Sequence, residues 1–380
     1  MVAILAWLDH DSQSRERMNE VLDGFEEDGT RDDLGIGRIR DHLSDRLFPG
    51  TTTLQTRLRY FLIVPWTYTY LEDRGVAAND VAKVADELQR DMIPILVADD
   101  PDGAFGRVMG RSVKQLPDSV YWSGLRRWGI FRLDLSRRQY HRQFERFHSK
   151  EDTAWRNLPP RPRRFPDELT LSLTSSEAGY LFDRITDRAQ GTLLHEMVDV
   201  AHVTDPTGWD HLWDFPSTLE ENRRLARQAR LFSYLIRGAS LLHNLLLADH
   251  KLATFPGSSA DDLVDQYRRH LADWSEGDEY DDVLRWDPTD LLDETGVGRP
   301  TRLFITQWQE HLRNHRQPLA DDDGAREHIK YRVLAKKGNR ARFRNDARLE
   351  QWTGGTGTRR LAYRWRTVSR LLQDIHDAMK

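Results

Sequence analysis

Cysteine is absent from this 380-residue chain. That excludes disulfides, Cys-ligated zinc or iron–sulfur sites and thiol catalysis. Familiar reaction motifs are absent as well. There is no G-x-S-x-G elbow, no kinase signature set and no dinucleotide G-x-G-x-x-G. Gly35-Ile36-Gly37 is too short for such a loop and follows no strand. Lysine is scarce, with 8 Lys against 48 Arg. Genomic base composition accounts for that bias more simply than selection for bidentate phosphate contacts. The opening MVAILAWLDHD has no basic n-region and meets acid after eight residues, so no signal peptide is expected. The longest apolar run, Leu231 to Ala248, contains Arg237, His243 and Asn244 and is flanked by charge. A membrane span needs ~20 predominantly apolar residues. A buried central helix is the expectation, and no membrane partner.

What the chain does have is segregated charge. Residues 325–380 carry 15 Lys/Arg against 5 Asp/Glu, and residues 121–165 carry 12 against 4. Residues 256–294 are the reverse, with 13 acids against 3 bases. A net charge of −5 therefore conceals two basic segments in an acidic body. Such segregation bears on partners more than on fold. Hydrophobic residues make up 38%, including 12 Trp, 11 Tyr and 14 Phe, which is enough for a real core.

The periodicity is helical nearly throughout. Met18, Val21, Leu22 and Phe25 repeat at helical spacing behind the candidate caps Asp11 and Ser12. Ile39, Leu43 and Leu47 mark a short helix stopping at Pro49-Gly50. The next is expected to start within Thr51–Thr53, to run to about Asp73, and to kink at Pro65. Another spans 78–98 with an interruption near Pro94. Leu169, Leu171 and Leu173 alternate as one short strand would. Thr174 with Glu177, and Thr218 with Glu221, read as capping boxes. The second opens a long helix to about His250. Leu303, Phe304 and Trp308 mark a further helix, and Arg360–Met379 the last. The expected fold is mostly α, a multi-helix, bundle-like body with a basic C-terminal helical subdomain. Its expected segments are 1–115, a basic aromatic-rich connector at 116–165, a central region at 166–324 and the subdomain at 325–380.

Four constellations carry candidate chemistry. In the C-terminal segment Arg and Lys interleave with Tyr331, Phe343, Trp352, Tyr363 and Trp365. Cations pair with phosphates and exposed aromatics stack on bases. The candidate nucleic-acid contacts are Lys336, Lys337, Arg340, Arg342, Arg344, Arg359, Arg360 and Arg364. The competing reading makes the aromatics core and pairs the arginines with the acidic 256–294 region. Thr353–Thr358, rich in glycine, is either an anion-binding loop or a hinge. Thr51, Thr52, Gln55, Arg57 and Arg59, on the expected helix start, form a candidate anion site. An ordinary capped helix whose arginine pairs with Asp41 or Asp45 is the alternative. His195, Asp199 and His202 stand at i, i+4 and i+7, a spacing that permits zinc or manganese ligation. Glu196 follows His195, but Asp at 199 breaks the H-E-x-x-H pattern. Mutual hydrogen bonding is the preferred reading, so no metal and no cofactor are expected. The acidic turn Asp278, Glu279, Asp281 and Asp282 lacks the spaced ligands and glycine of a calcium loop.

Several blocks resemble an uncharacterised prokaryotic family. They are Ala6-Trp7-Leu8-Asp9, Leu34-Gly35-Ile36-Gly37-Arg38-Ile39-Arg40-Asp41, the stretch Phe48-Pro49-Gly50-Thr51 through Arg59-Tyr60-Phe61, and Gln351-Trp352-Thr353-Gly354-Gly355 with Tyr363-Arg364-Trp365. The resemblance implies a cytoplasmic bacterial or archaeal protein whose relatives lie near helicase and nuclease genes of antiphage defence clusters. It supplies no catalytic residues. The expectation is a non-catalytic, nucleic-acid-associated subunit of a defence or DNA-processing assembly, with DNA and helicase or nuclease proteins as partners. A metal-dependent nuclease or hydrolase and a protein-interaction scaffold are the alternatives. Residues 121–165 and 325–380 are expected to contribute to one basic surface.

Overall fold

The computed structural model describes residues 32–148, 153–201, 204–258, 260–315, 317–355 and 357–380. The expected helix around Met18–Phe25, the Ala6–Asp9 block, His202 and Thr356 lie outside them. Among the described residues the fold is all-α. In chain order the helices are α1 Gly37–Leu47, α2 Tyr60–Glu72, α3 Val81–Asp99, α4 Pro117–Arg127, α5 Arg137–Arg142, α6 Ser175–Arg188, α7 Leu193–Ala201 and α8 Glu220–Thr254. They continue with α9 Ala260–Ser275, α10 Tyr280–Arg285, α11 Thr289–Thr295, α12 Arg299–Asn314, α13 Asp323–Lys337, α14 Asp346–Glu350 and α15 Trp365–Met379. The strand expected at Leu169–Leu173 does not form. Leu169 and Leu171 are buried there without a partner strand, and the Leu171 N–H donates to Asp99 at 2.6 Å instead. Alternating burial without a ladder is not a strand.

The chain divides into two compact units. Among the described residues one comprises 42–227 and 362–380, the other 32–41 together with 228–361. The basic C-terminal segment, expected as a subdomain, is thus shared between the two.

The first unit has an aromatic core. Tyr68, Tyr121, Trp122, Trp128, Phe131, Tyr140, Phe144 and Trp155 are all buried. Tyr68 meets Trp122 and Tyr140 edge-on, at centroid distances of 5.8 and 5.3 Å. Most of these rings come from the basic segment 121–165. Its aromatics therefore face inward, while Arg126, Arg137 and Arg161 pair with Asp134, Asp118 and Asp73. Gly50 takes a positive φ of 88° and passes so close to the Trp128 indole that a Cβ would lie 2.4 Å from its nitrogen. Only glycine permits both. Helix α3 runs on through Pro94 without the expected interruption. The Thr174–Glu177 capping box forms. The Thr218–Glu221 box does not. Thr218 instead donates its N–H and hydroxyl to Glu196 of α7, both at 2.7 Å, and Asn222 donates to the same carboxylate at 2.7 Å. Burial pushes the Glu196 pKa up, but the bonds from Ser217, Thr218 and Asn222 outweigh it and hold it down at about 2. Glu221 is released to pair with Arg46 and Arg224.

One buried carboxyl in this unit gives a pH-dependent expectation. Glu72 accepts from the Tyr140 hydroxyl at 2.6 Å. Burial raises its pKa to about 7, against a partial lowering by that bond. The folded state therefore holds a proton that the unfolded chain has released between about pH 4.5 and 7. Stability linked to Glu72 is full at the acid end of this window and declines as pH rises through it. Thermal melts of Glu72→Gln should gain on wild type as pH rises from about 4.5 to 7, and the difference should level off above. A constant difference across that range would refute this account.

The second unit is organised on α8. By length and composition α8 could cross a membrane, yet 94% of its apolar window is buried within the protein. Trp274 donates to the Tyr234 carbonyl at 3.1 Å and Trp308 to the Leu235 carbonyl at 3.0 Å, so both indoles dock on α8. Gly238 makes the Trp274 contact possible, because a Cβ there would lie 2.3 Å from the ring. The acidic region supplies partners for basic side chains of the same unit. Glu279 takes Arg360 in a two-pronged pair at 3.0 and 3.0 Å, and Asp293 takes Arg302.

Candidate nucleic-acid interface

The basic candidates of the sequence fall into two groups. Some are committed within the protein. Arg360 is held by Glu279, the Ser233 hydroxyl and the Arg230 carbonyl. Arg364, in the other unit, pairs with Asp45 at 2.7 Å and donates to the Thr51 carbonyl at 2.8 Å. Lys337 and Arg342 share Asp33, at 3.3 and 2.9 Å. Arg359 is exposed, and so are Lys336, Arg340 and Arg344. These last three make no ion pair among the described residues. The Lys336 stem lies against Gly35, where a Cβ would come within 2.5 Å of it.

The aromatics of this segment are mostly core. Trp352, Tyr363 and Trp365 are buried, Phe343 is half-buried, and Tyr331 is exposed. The expected row of stacking platforms therefore reduces to one ring. The expected helix Arg360–Met379 begins at Trp365, which leaves Arg359, Arg360 and Arg364 on irregular backbone.

The local geometry produces a pocket instead. Helix α13 ends at Lys337, where Gly338 takes a φ of 54°. Two short turns, Gly338–Arg340 and Arg342–Arg344, then redirect the chain into α14. Asn345 caps α14 by accepting from the Arg348 N–H at 3.0 Å. Between the end of α13, these turns, α14 and α8 lies a cavity of about 340 Å³. Lys337, Arg340, Arg342 and Arg348 line it, with Asp33, His243, Trp352, Thr353 and Gly354. Four cations thus face one carboxylate. Arg348, His243 and Asp33 escaped the sequence reading. Arg348 belonged to the basic segment, but nothing in the pattern linked positions 33 and 243 to it. Gly354 and Gly355 take positive φ values, and the Gly355 N–H donates to the Tyr267 hydroxyl at 2.6 Å.

The Thr51–Arg59 block, in the first unit, is a buried polar junction. Its helix begins at Tyr60, not at Thr51–Thr53, so no helix terminus is aimed from the threonines. The irregular backbone is satisfied largely from elsewhere. Tyr121 accepts from the N–H of Thr56 and of Arg57 at 2.9 and 3.2 Å. Asp374 accepts from the Leu58 N–H at 2.7 Å. Thr51 donates to the Phe48 carbonyl, and Gln55 bridges Thr52 and Gly50. Arg57 pairs with Asp100 and Asp374, at 2.9 and 2.8 Å. Arg59 pairs with Glu177 at 2.8 Å. Leu58, Phe61, Gln55 and Arg59 are buried, and Leu54 is half-buried.

Of the metal-type trio, His195 and Asp199 stand 3.8 Å apart on α7, and His202 is outside the described residues. A second concavity, about 630 Å³, is lined by His311, His315, His328, Glu310, Glu327 and Tyr331. Among the described residues no cluster of three or more His, Asp or Glu has metal-holding geometry.

The arrangement defines an all-α protein with a cation-lined pocket in one unit. Residues 2–379 match a family of unknown function, DUF6361, and the chain belongs to that family. No curated protein and no solved structure matches it.

Proposed function

We propose that this protein is a non-catalytic, nucleic-acid-associated subunit of a prokaryotic defence or DNA-processing assembly, acting in the cytoplasm with helicase or nuclease partners. The observation that supports nucleic-acid association is the pocket of α13 and α14, where Lys337, Arg340, Arg342 and Arg348 surround a single carboxylate. Cations gathered in this way bind phosphates by releasing condensed counterions. The defence setting rests on the resemblance described above. Within the pocket Lys337 and Arg342 are less available than Arg340 and Arg348, because Asp33 already holds them.

The test is salt-dependent DNA binding by wild type and by a variant with Arg340, Arg344 and Arg348 replaced by Gln. Log affinity for duplex DNA should fall with log salt by about 0.9 per phosphate contact. The variant should show a slope flatter by roughly 2–3 units if all three touch phosphate. All three are exposed, so folding should survive at a cost within about 0.5 kcal/mol for each. A folded variant with unchanged affinity and slope would reject this surface and favour the scaffold reading.

A further inference from the structure

The α13–α14 pocket is built for an end, not for a passing strand. Its volume, about 340 Å³, lies at the small end of ligand pockets and suits one phosphate with part of its sugar, not a duplex. An internal phosphodiester carries one negative charge and has chain leaving on both sides. A terminal phosphate monoester carries nearly two charges at neutral pH and can enter end-on. Four cations against Asp33 leave an excess that a dianion matches better than a monoanion.

The second observation is His243. It projects from α8, is 2% exposed and lines the pocket. Its ring contacts Phe343 at a centroid distance of 5.8 Å but makes no hydrogen bond among the described residues. Burial, with Arg342 and Lys337 nearby and against the pull of Asp33, lowers its pKa to about 4. At neutral pH it therefore presents an uncharged ring with an unused N–H. The ring lines the cavity, where a ligand can reach it. A phosphate oxygen in the pocket would supply the missing acceptor.

We propose that this pocket recognises a terminal phosphate monoester, with Arg340 and Arg348 pairing with its oxygens and His243 donating to it from the wall. The proposal rests on the nucleic-acid reading for one of its two sources, a strand end, the other being a free mononucleotide. Asp33 then has a distinct role. It is the resident counter-charge that keeps Lys337 and Arg342 in position while the pocket is empty.

The experiment uses the full chain and fluorescence anisotropy with single-stranded oligonucleotides of one sequence. These carry a 5′-phosphate, a 3′-phosphate or hydroxyl ends, and adenosine monophosphate and inorganic phosphate serve as competitors. At least one phosphorylated end should bind about tenfold or more tightly than the hydroxyl-ended strand, the scale of one charge-assisted contact pair. Arg348→Gln and Arg340→Gln, at exposed positions, should each reduce that preference to threefold or less. His243→Gln, which keeps a donor, should retain more of the preference than His243→Leu. Equal affinity for all three strands, with binding still lost in the arginine variants, would overturn the end-recognition proposal and leave the nucleic-acid reading standing. Competitor binding that is abolished by Arg348→Gln, with no oligonucleotide binding, would support the pocket and overturn the nucleic-acid reading. Failure to bind phosphate in any of these forms would overturn both.

Discussion

Replacing Arg332 with leucine is expected to destabilise the second unit by about 1–3 kcal/mol, the cost of leaving buried acceptors without their donor. Arg332 lies in the basic segment, yet it is 4% exposed. Its guanidinium donates to the carbonyls of Leu34, Gly35 and Pro300 and to the Thr301 hydroxyl, at 2.7, 3.1, 3.3 and 3.0 Å. It also lies over the Phe304 ring, 4.7 Å from its centroid. Burial lowers its pKa to about 10, so it remains charged at neutral pH. One side chain therefore fastens the Leu34–Gly35 turn to α12 and α13. Leucine fills part of the volume but leaves the carbonyls without a donor. Arg332→Lys should recover only part of the loss, because an ammonium group cannot span four acceptors in the plane of a guanidinium. Equilibrium urea unfolding measures both. A loss below about 1 kcal/mol for the leucine variant would show that the network is dispensable.

Asp374→Ala should cost the first unit about 2–4 kcal/mol. The side chain is 6% exposed and accepts from the Leu58 N–H while pairing with Arg57. Burial raises its pKa to about 6 despite Arg57 and the Leu58 bond, so ionised Asp374 is held under tension at neutral pH. Alanine orphans a buried N–H and takes from Arg57 one of its two carboxylates. Asp100 still pairs with Arg57, which keeps the expected loss below that of a completely unpaired charge. Asp374→Asn keeps an acceptor for Leu58 and should lose less. If asparagine and alanine prove equally costly, the Leu58 bond is not what matters.

These two residues also show how far the sequence can be read. Helical spacing is a local property, and it located α1, α12 and α15 because each buries one stripe of a single continuous segment, while α8 was legible as an unbroken apolar run. Leu371, Leu372 and Ile375 are buried on α15 as their spacing requires, and so is the run from Leu231 to Ala248. The Thr174–Glu177 cap formed because both partners lie within one turn. By itself the sequence determined a mostly α fold, its main helices, enough apolar surface for a core and the absence of thiol chemistry.

Tertiary structure decided everything that depends on a partner far along the chain. Thr51–Arg59 carries helical periodicity, but Tyr121 and Asp374 satisfy its backbone, and the helix starts only at Tyr60. Glu196 caps α8 in place of the nearer Glu221. Composition counted Arg332, Arg342, Arg360 and Arg364 as equivalent surface cations, whereas carbonyls and carboxylates up to about 300 positions away hold them. The pocket joins Asp33, His243 and the stretch from Lys337 to Gly354. The physical reason is that periodicity reports which face of a segment is apolar. Ion pairs, hydrogen-bond partners and cavities are set by which faces meet, and no local pattern records that meeting.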